Sequence, residues 1–326
     1  MLLRFRLSFA LAVPLLCGLG QADQQVLVPL PAKAPAPEDN PTTEQRVALG
    51  RRLFFDPLLS GDNQMSCATC HAPEKGFGDG LPRGKGAGGR ELSRNSQTVL
   101  NTGFLSSLFW DGRAASLEEQ ALGPITSPDE MAQDVDELVN ELAAIPGYVD
   151  EFKRIFGKPV NADDIARALA AYQRSLITLS SPFDLYLAGN EDALSSAAKE
   201  GLALFRGDAG CVRCHNGPLL SDGKFYRLGV NNADVGRGGV TGAPEDRYRF
   251  RTPTLRNVAE TGPYMHDGSL ETLFDVVEFY YRRIPKSGPD GTSLDVESLL
   301  WQSYSEIELI VAFLESLSGE TPATAQ

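Results

Sequence analysis

Cys67-Ala68-Thr69-Cys70-His71 is the stretch from which the rest of the 326-residue chain can be read. Two thiols three positions apart, with an imidazole directly after the second, match the attachment pattern of a c-type haem. The cysteines add across the vinyl groups and the histidine binds iron. The pattern recurs at Cys211-Val212-Arg213-Cys214-His215. A single match also fits accident or a zinc half-site; two matches, taking four of the five cysteines, point to two covalently held haems. No disulfide is left to form, although an oxidising compartment would allow one.

The fifth cysteine, Cys17, lies in a segment that reads as a secretory signal over residues 1–22. Arg4 and Arg6 form its positive start, Leu7 to Leu19 its apolar run, and Gly20-Gln21-Ala22 a small-residue cleavage site. The run is shorter than the roughly 20 residues of a membrane span, and Leu16 is too large for the position before a lipidated cysteine. A periplasmic protein with no membrane span in its mature chain is expected. Losing Arg4 and Arg6 takes the formal charge from -13 to -15. So acidic a surface argues against nucleic acid and anionic lipid, and it suits a basic redox partner such as a small cytochrome; it also serves plain solubility.

Two haem motifs in a chain of this length favour two domains. Residues 23–41 carry Pro29, Pro31, Pro35, Pro37 and Pro41 with few large apolar groups and read as a flexible, partly polyproline tether. A helix should begin at Thr42-Thr43-Glu44. Gly50, Leu53 and Phe54 ahead of the first haem motif have counterparts in Gly201, Leu204 and Phe205 ahead of the second, so the halves look like copies of one unit. Residues 76–89 read as a glycine-rich loop where a distal wall or access channel would lie. Helical patterns follow at about 129–144, 147–156 and 162–178, the last broken by Ser181-Pro182, where the domain boundary is drawn. The N-terminal haem domain then spans 42–181 and the C-terminal one 182–326. Residues 221–250 read as a long excursion. A final helix opens on a capping box of Ser305 and Glu308 and buries Ile307, Ile310, Val311, Leu314 and Leu317. Strand patterns are scarce, so the fold class is mainly α: two cytochrome-c-like haem domains packed against each other.

His71 and His215 supply one ligand to each iron, and the chain has only one other histidine, His266. Of the methionines outside the signal, Met65 is too close to Cys67 to reach over that haem, leaving Met131 and Met265. Two six-coordinate irons are therefore short of ligands. One open iron, able to bind a small molecule such as peroxide, is the simpler account, and a passive di-haem electron carrier is the competing one.

Leu53-Phe54-Phe55-Asp56-Pro57, the first haem motif, Arg94-Asn95-Ser96, Leu100-Asn101, Phe109-Trp110-Asp111-Gly112-Arg113, the second motif, Thr252 through Asn257 and Pro263-Tyr264-Met265-His266-Asp267-Gly268 occur in this order. Together they resemble the di-haem bacterial cytochrome c peroxidase and MauG family over residues 42–319. The resemblance implies a peroxide site at the N-terminal haem. The histidine that caps that haem in the peroxidases is replaced here by Ala87, as in the MauG branch. It implies Tyr280 as the sixth ligand of the second haem, where the peroxidases have methionine; Met265 and His266 are the alternatives, and an aromatic between Phe279 and Tyr281 also suits a core. A phenolate ligand lowers the reduction potential and favours the more oxidised iron, so the second haem would store oxidising equivalents. Trp110 is implied as a relay between the haems, Glu130 and Gln120 as the distal acid-base pair. Asn95 with the carbonyls of Thr261 and Pro263 is implied as a Ca2+ site of oxygen donors. His266 then supports the site without binding iron.

Three functions follow from this reading. The first is a peroxidase that cleaves hydrogen peroxide and is re-reduced by a small cytochrome c or cupredoxin. The second is a MauG-like oxidase of tyrosine or tryptophan residues on a protein substrate. The third is the electron carrier.

Overall fold

A computed structural model describes residues 26–230, 233–285, 287, 291, 293–296 and 303–322. The leader over 1–22 with its Cys17 and the first residues of the proline-rich segment lie outside the described residues. Among the described residues no helix is long and apolar enough to cross a membrane.

The helices in chain order are α1 (Glu44–Phe54), α2 (Cys67–Cys70), α3 (Leu117–Thr126), α4 (Val135–Ala143), α5 (Pro146–Phe156), α6 (Ala162–Ser175), α7 (Pro182–Leu187), α8 (Ser196–Arg206), α9 (Gly238–Thr241), α10 (Leu273–Glu278) and α11 (Tyr304–Glu315). Short 3-10 turns join them. The described strands are β1 (Phe225–Tyr226) and β2 (Phe250–Arg251), paired antiparallel. The architecture is thus mainly α, as expected.

Among the described residues two large apolar cores form, with a smaller cluster of Leu108, Ala114, Leu117 and Ala170 beside them. The first gathers Leu53, Phe54, Phe77, Phe152, Leu169 and Tyr172 between α1, α5 and α6. The second gathers Phe183, Phe205, Ile310, Phe313 and Leu317 between α7, α8 and α11. The sequence repeat has a packing cause. A Cβ on Gly50 would meet Ala168 O at 1.9 Å and one on Gly201 would meet Leu309 O at 1.9 Å. In each half a glycine lets one helix cross its neighbour backbone to backbone, and the phenylalanine four residues on fills the core beside it.

A longer repeat lies between the haem motifs and the helices that follow them, at a constant offset of 156 residues. Thr98 and Thr254 donate their hydroxyls to Gly76 O and Leu219 O. Asn101 and Asn257 have left-handed backbones, as do Phe109 and Met265. Leu108 pairs with Ala114 as Tyr264 does with Leu270. Ser116 caps α3 as Thr272 caps α10.

Several local expectations are corrected. The proline-rich tether is a strap over its described part. Leu27 and Leu30 are buried, Val26 O accepts from Gly217 N, and Val28 O accepts from Arg256 Nη2, all on the second half; Asn40 Nδ2 then donates to Glu118 and Arg167 O on the first. Prolines stiffen the chain, so laying it down costs little entropy, and the two leucines anchor it. The helix expected from 129 starts at Val135, because Asp134 caps Asp136 N and Glu137 N. Residues 127–131 are instead a turn. α6 ends at Ser175, and Ser181-Pro182 opens α7 rather than closing α6. The last capping box is Ser303 with Glu306, not Ser305 with Glu308: the helix starts at Tyr304, and only Ser303 has the extended backbone of a cap.

Candidate active site

Each CxxCH motif closes a short helical turn that holds its histidine at a fixed angle. Ser66 and Thr69 box the start of α2, and His71 N–H bonds back to Cys67 O. The His71 Nδ1 lies 3.1 Å from Phe77 O and the His215 Nδ1 lies 3.0 Å from Leu220 O. With Nδ1–H given to a carbonyl, Nε2 is the basic nitrogen, the arrangement found at metal-bound histidines. Burial lowers both imidazole pKa values and so holds the neutral, ligating form. Burial also pushes the thiols up, Cys67 and Cys211 to about 12 and Cys70 to about 11. The same apolar setting costs nothing for a thioether, which carries no charge.

Both motifs open onto one cavity of about 1460 Å³, lined by residues of both halves. That exceeds the roughly 300–1,000 Å³ of a single small-ligand pocket, and the histidine ring nitrogens and cysteine sulfurs at its two ends fit two haems.

The halves meet reciprocally inside it. Asn95 N–H donates to His266 O at 2.8 Å, and Arg251 N–H donates to Trp110 O at 2.8 Å. In the 156-residue register Asn95 corresponds to Arg251 and Trp110 to His266, so the two contacts are one contact seen twice. Trp110 Nε1 also donates to Asn95 O at 3.0 Å. Its ring stands edge-on to His266 at 6.5 Å, and His266 stacks on Phe250 at 3.7 Å. His266 is 4% exposed, its Nε2 has no hydrogen-bond partner among the described residues, and burial lowers its pKa to about 4.

Trp110, Gln120, Glu130, Tyr280, Asn95, Thr261 and Pro263 line this cavity; Ala87 does not, although its neighbour Gly86 does. Gln120 projects from α3. Glu130 sits in the 127–131 turn, near enough to Cys70 to raise its thiol pKa after burial and Asp79 have done so. Ala87 N–H donates to Glu130 O at 2.7 Å, so the glycine-rich loop and that turn are joined. Asn95 Nδ2 donates to Leu81 O, which turns the other atom of the amide, an oxygen, to other uses. Met65, Met131 and Met265 line the cavity as well; Met131 is packed in the first core.

Tyr280 stands in a π-turn, Phe279–Arg283, that continues α10, and burial followed by the Cys211 and Cys214 sulfurs raises its phenol pKa. Wide turns of this kind often carry functional side chains. Its counterpart in the first half is Pro124, inside α3 and also on the cavity wall. Sequence reasoning missed Pro124 and Arg251; the 156-residue register, legible in the paired Trp-Asp-Gly and His-Asp-Gly segments, would have found both.

Residues 44–192 match the family described as di-haem cytochrome c peroxidase. Across 301 residues, 90% of this chain and 84% of its relative, the sequence is 44% identical to the methylamine utilization protein MauG of Methylorubrum extorquens. The chain belongs to the di-haem cytochrome c peroxidase and MauG family. It is also 39% identical to the cytochrome c551 peroxidase of Pseudomonas aeruginosa, over 97% of this chain and 91% of that one. Among solved structures, a MauG-like protein associated with microbial copper homeostasis superimposes with a TM-score of 0.79 at 30% identity, covering 92% of this chain and 95% of that one. The diheme peroxidase BthA from Burkholderia thailandensis gives 0.77 at 25%, covering 92% and 98%. The family brings with it oxidoreductase chemistry, two c-type haems and a pair of cytochrome-c-like domains, and the cavity at the junction of this chain's two halves is built to hold them.

Proposed function

We propose that the protein is a periplasmic, peroxide-dependent di-haem oxidoreductase with an open first haem and a closed second one. The observation that carries this is the exchange of Pro124 for Tyr280 at matching positions of the two halves. Proline offers no side-chain donor to a metal, whereas a phenol offers an anionic oxygen. Ala87, hydrogen-bonded to the Glu130 turn, adds no ligand on the first side.

When bound, the haems would supply the redox chemistry and the peroxide site; Cys67, Cys70 and His71 would hold the first, and Cys211, Cys214, His215 and Tyr280 the second. This chain's residues do the rest. Glu130, on a turn fixed by three backbone contacts (to Ser127 O, from Ala87 N and through Met131 N to Pro124 O), is placed to move a proton between the two peroxide oxygens, with Gln120 orienting the molecule. Trp110, hydrogen-bonded across the junction, is placed to carry oxidising equivalents between the halves. Asn95 Oδ1 and the Thr261 and Pro263 carbonyls would hold a Ca2+ ion at that junction, a set of hard donors suited to it. The electron source is a small cytochrome c or cupredoxin. The Ala87 and Tyr280 pairing favours a second reading, a MauG-like oxidase acting on tyrosine or tryptophan of a partner protein: Ala87 brings no capping side chain to the first haem, and a Tyr280 phenolate would favour the more oxidised second iron.

The test is to add hydrogen peroxide to the holoprotein with reduced cytochrome c. Fast turnover supports the peroxidase, and a long-lived oxidised state over both haems without turnover supports the protein oxidase. A resting spectrum that is low-spin at both haems, with no reaction, refutes both and leaves the electron carrier.

A further inference from the structure

We propose that Arg251 is a built-in counter-cation for a haem propionate at the junction of the two halves. The inference rests on the di-haem reading above and deepens it. Arg251 is 3% exposed and lines the shared cavity. Its Nε donates to Phe109 O at 3.3 Å and its Nη1 to Thr252 O at 3.3 Å, long contacts to neutral oxygens. Among the described residues no carboxylate pairs with it.

The other arginines of the cavity differ. Arg83 faces Glu91, Arg90 faces Asp129, and Arg94 and Arg113 share Asp111, with Asp234 also on Arg94; Arg213 is exposed. Arg227 is as buried as Arg251 but lies off the cavity, its guanidinium bonded to three backbone carbonyls. Burial without a compensating charge pulls the Arg251 pKa down to about 10. A buried cation left unpaired is among the costlier features a fold can carry, and it persists where an anion completes it. The planar fork of arginine suits a carboxylate, and the propionates are the carboxylates a haem brings into this cavity.

The pseudo-symmetry gives the placement. Arg251 N–H holds Trp110 O while its counterpart Asn95 holds His266 O, so the side chains of 95 and 251 occupy equivalent places about the junction. One side has an amide oxygen fit for a metal ion, the other a guanidinium.

The test compares holoprotein carrying Arg251→Gln and Arg251→Lys, both haems verified by mass. In Arg251→Gln the midpoint potential of one haem at pH 8 falls by about tenfold in its redox equilibrium, 59 mV for one electron. The potential recovers toward pH 6, because the unpaired propionate takes up a proton, whereas the wild-type value stays flat. Arg251→Lys keeps the charge and holds the potential within about threefold, yet its propionate bending band moves in resonance Raman because the fork is lost. That band is readable even if Arg251→Gln fails to accumulate. A potential within threefold of wild type in Arg251→Gln, an equal fall in Arg251→Lys, or an unmoved Raman band overturns the assignment. Failure to attach two haems in the wild type would overturn the di-haem reading itself.

Discussion

Gly86→Ala is the substitution that asks most directly whether Glu130 is positioned by the loop beside it. A Cβ at Gly86 would stand 1.8 Å from Asp129 O and 3.0 Å from Glu130 Cα. Real Cβ atoms do not come within 3.0 Å of such a neighbour, so loop and turn must part by about 1.2 Å, the difference between the two distances. The neighbour is backbone and cannot rotate away. The Ala87 N–H to Glu130 O bond of 2.7 Å lies one residue on and lengthens with it. A displacement of about 1 Å at a catalytic group can cost on the order of 100-fold in rate, equivalent to about 2.7 kcal/mol of barrier. We expect the second-order rate of the holoprotein with hydrogen peroxide, followed by stopped-flow absorbance, to drop about 100-fold. Gly86 is buried against the cavity but lies outside the apolar cores, so thermal stability should fall far less than in Gly50→Ala, where the same clash separates two core helices. Glu130→Gln should slow the reaction by at least as much. A Gly86→Ala protein that reacts with peroxide at the wild-type rate would refute the placement of Glu130 in the chemistry.

Other substitutions probe the junction and the second haem. Thr178→Val removes a hydroxyl that accepts from Asn101 Nδ2 at 2.9 Å and donates to Asn257 Oδ1 at 2.6 Å, all three residues buried. Stranding those groups should cost about 1–3 kcal/mol in urea unfolding, and an unchanged midpoint would show the network to be idle. For His266 the folded pKa, about 4, lies below the ordinary 6.5, so the unfolded chain binds the extra proton between those values. Stability is full above pH 6.5 and is lost as pH falls toward 4. His266→Phe keeps the stack on Phe250 and should narrow the gap in stability between pH 7 and pH 5; a gap as wide as in wild type counts against a buried neutral imidazole. Tyr280→Phe should change the absorption and spin state of the second haem and leave the first haem's features in place, and an unaltered spectrum would remove Tyr280 from the iron.

Much of the molecule was legible in the sequence because its chemistry is local. Haem attachment requires two sulfurs and an imidazole within five residues, and no distant group alters that spacing. The start of α1 at Thr43 is equally local, since a cap is settled by the residues within one turn. The order of the motifs resembles one family, and that resemblance carries Glu130, Gln120, Trp110, Tyr280 and the Asn95 set, but neither Pro124 nor Arg251. The structure departs from the sequence reading where two local signals compete, as at Ser303 against Ser305, and in the proline-rich segment, where Leu27 enters the second core and Leu30 is buried.

What tertiary structure alone decided is the pairing of residues about 150 positions apart. The sequence carries Asn95, Trp110, Arg251 and His266 as four separate polar or aromatic residues. Folding two copies of one unit face to face turns them into reciprocal contacts, with Trp110 against His266 and Asn95 opposite Arg251. The Pro124 and Tyr280 match is different in kind: it follows from the 156-residue register, and the fold adds that both residues line the shared cavity. The register says which residues correspond, but it does not encode the contacts between the halves, because those arise from packing the two units together, and that determines which side chains share a cavity and which are left without a charge of opposite sign.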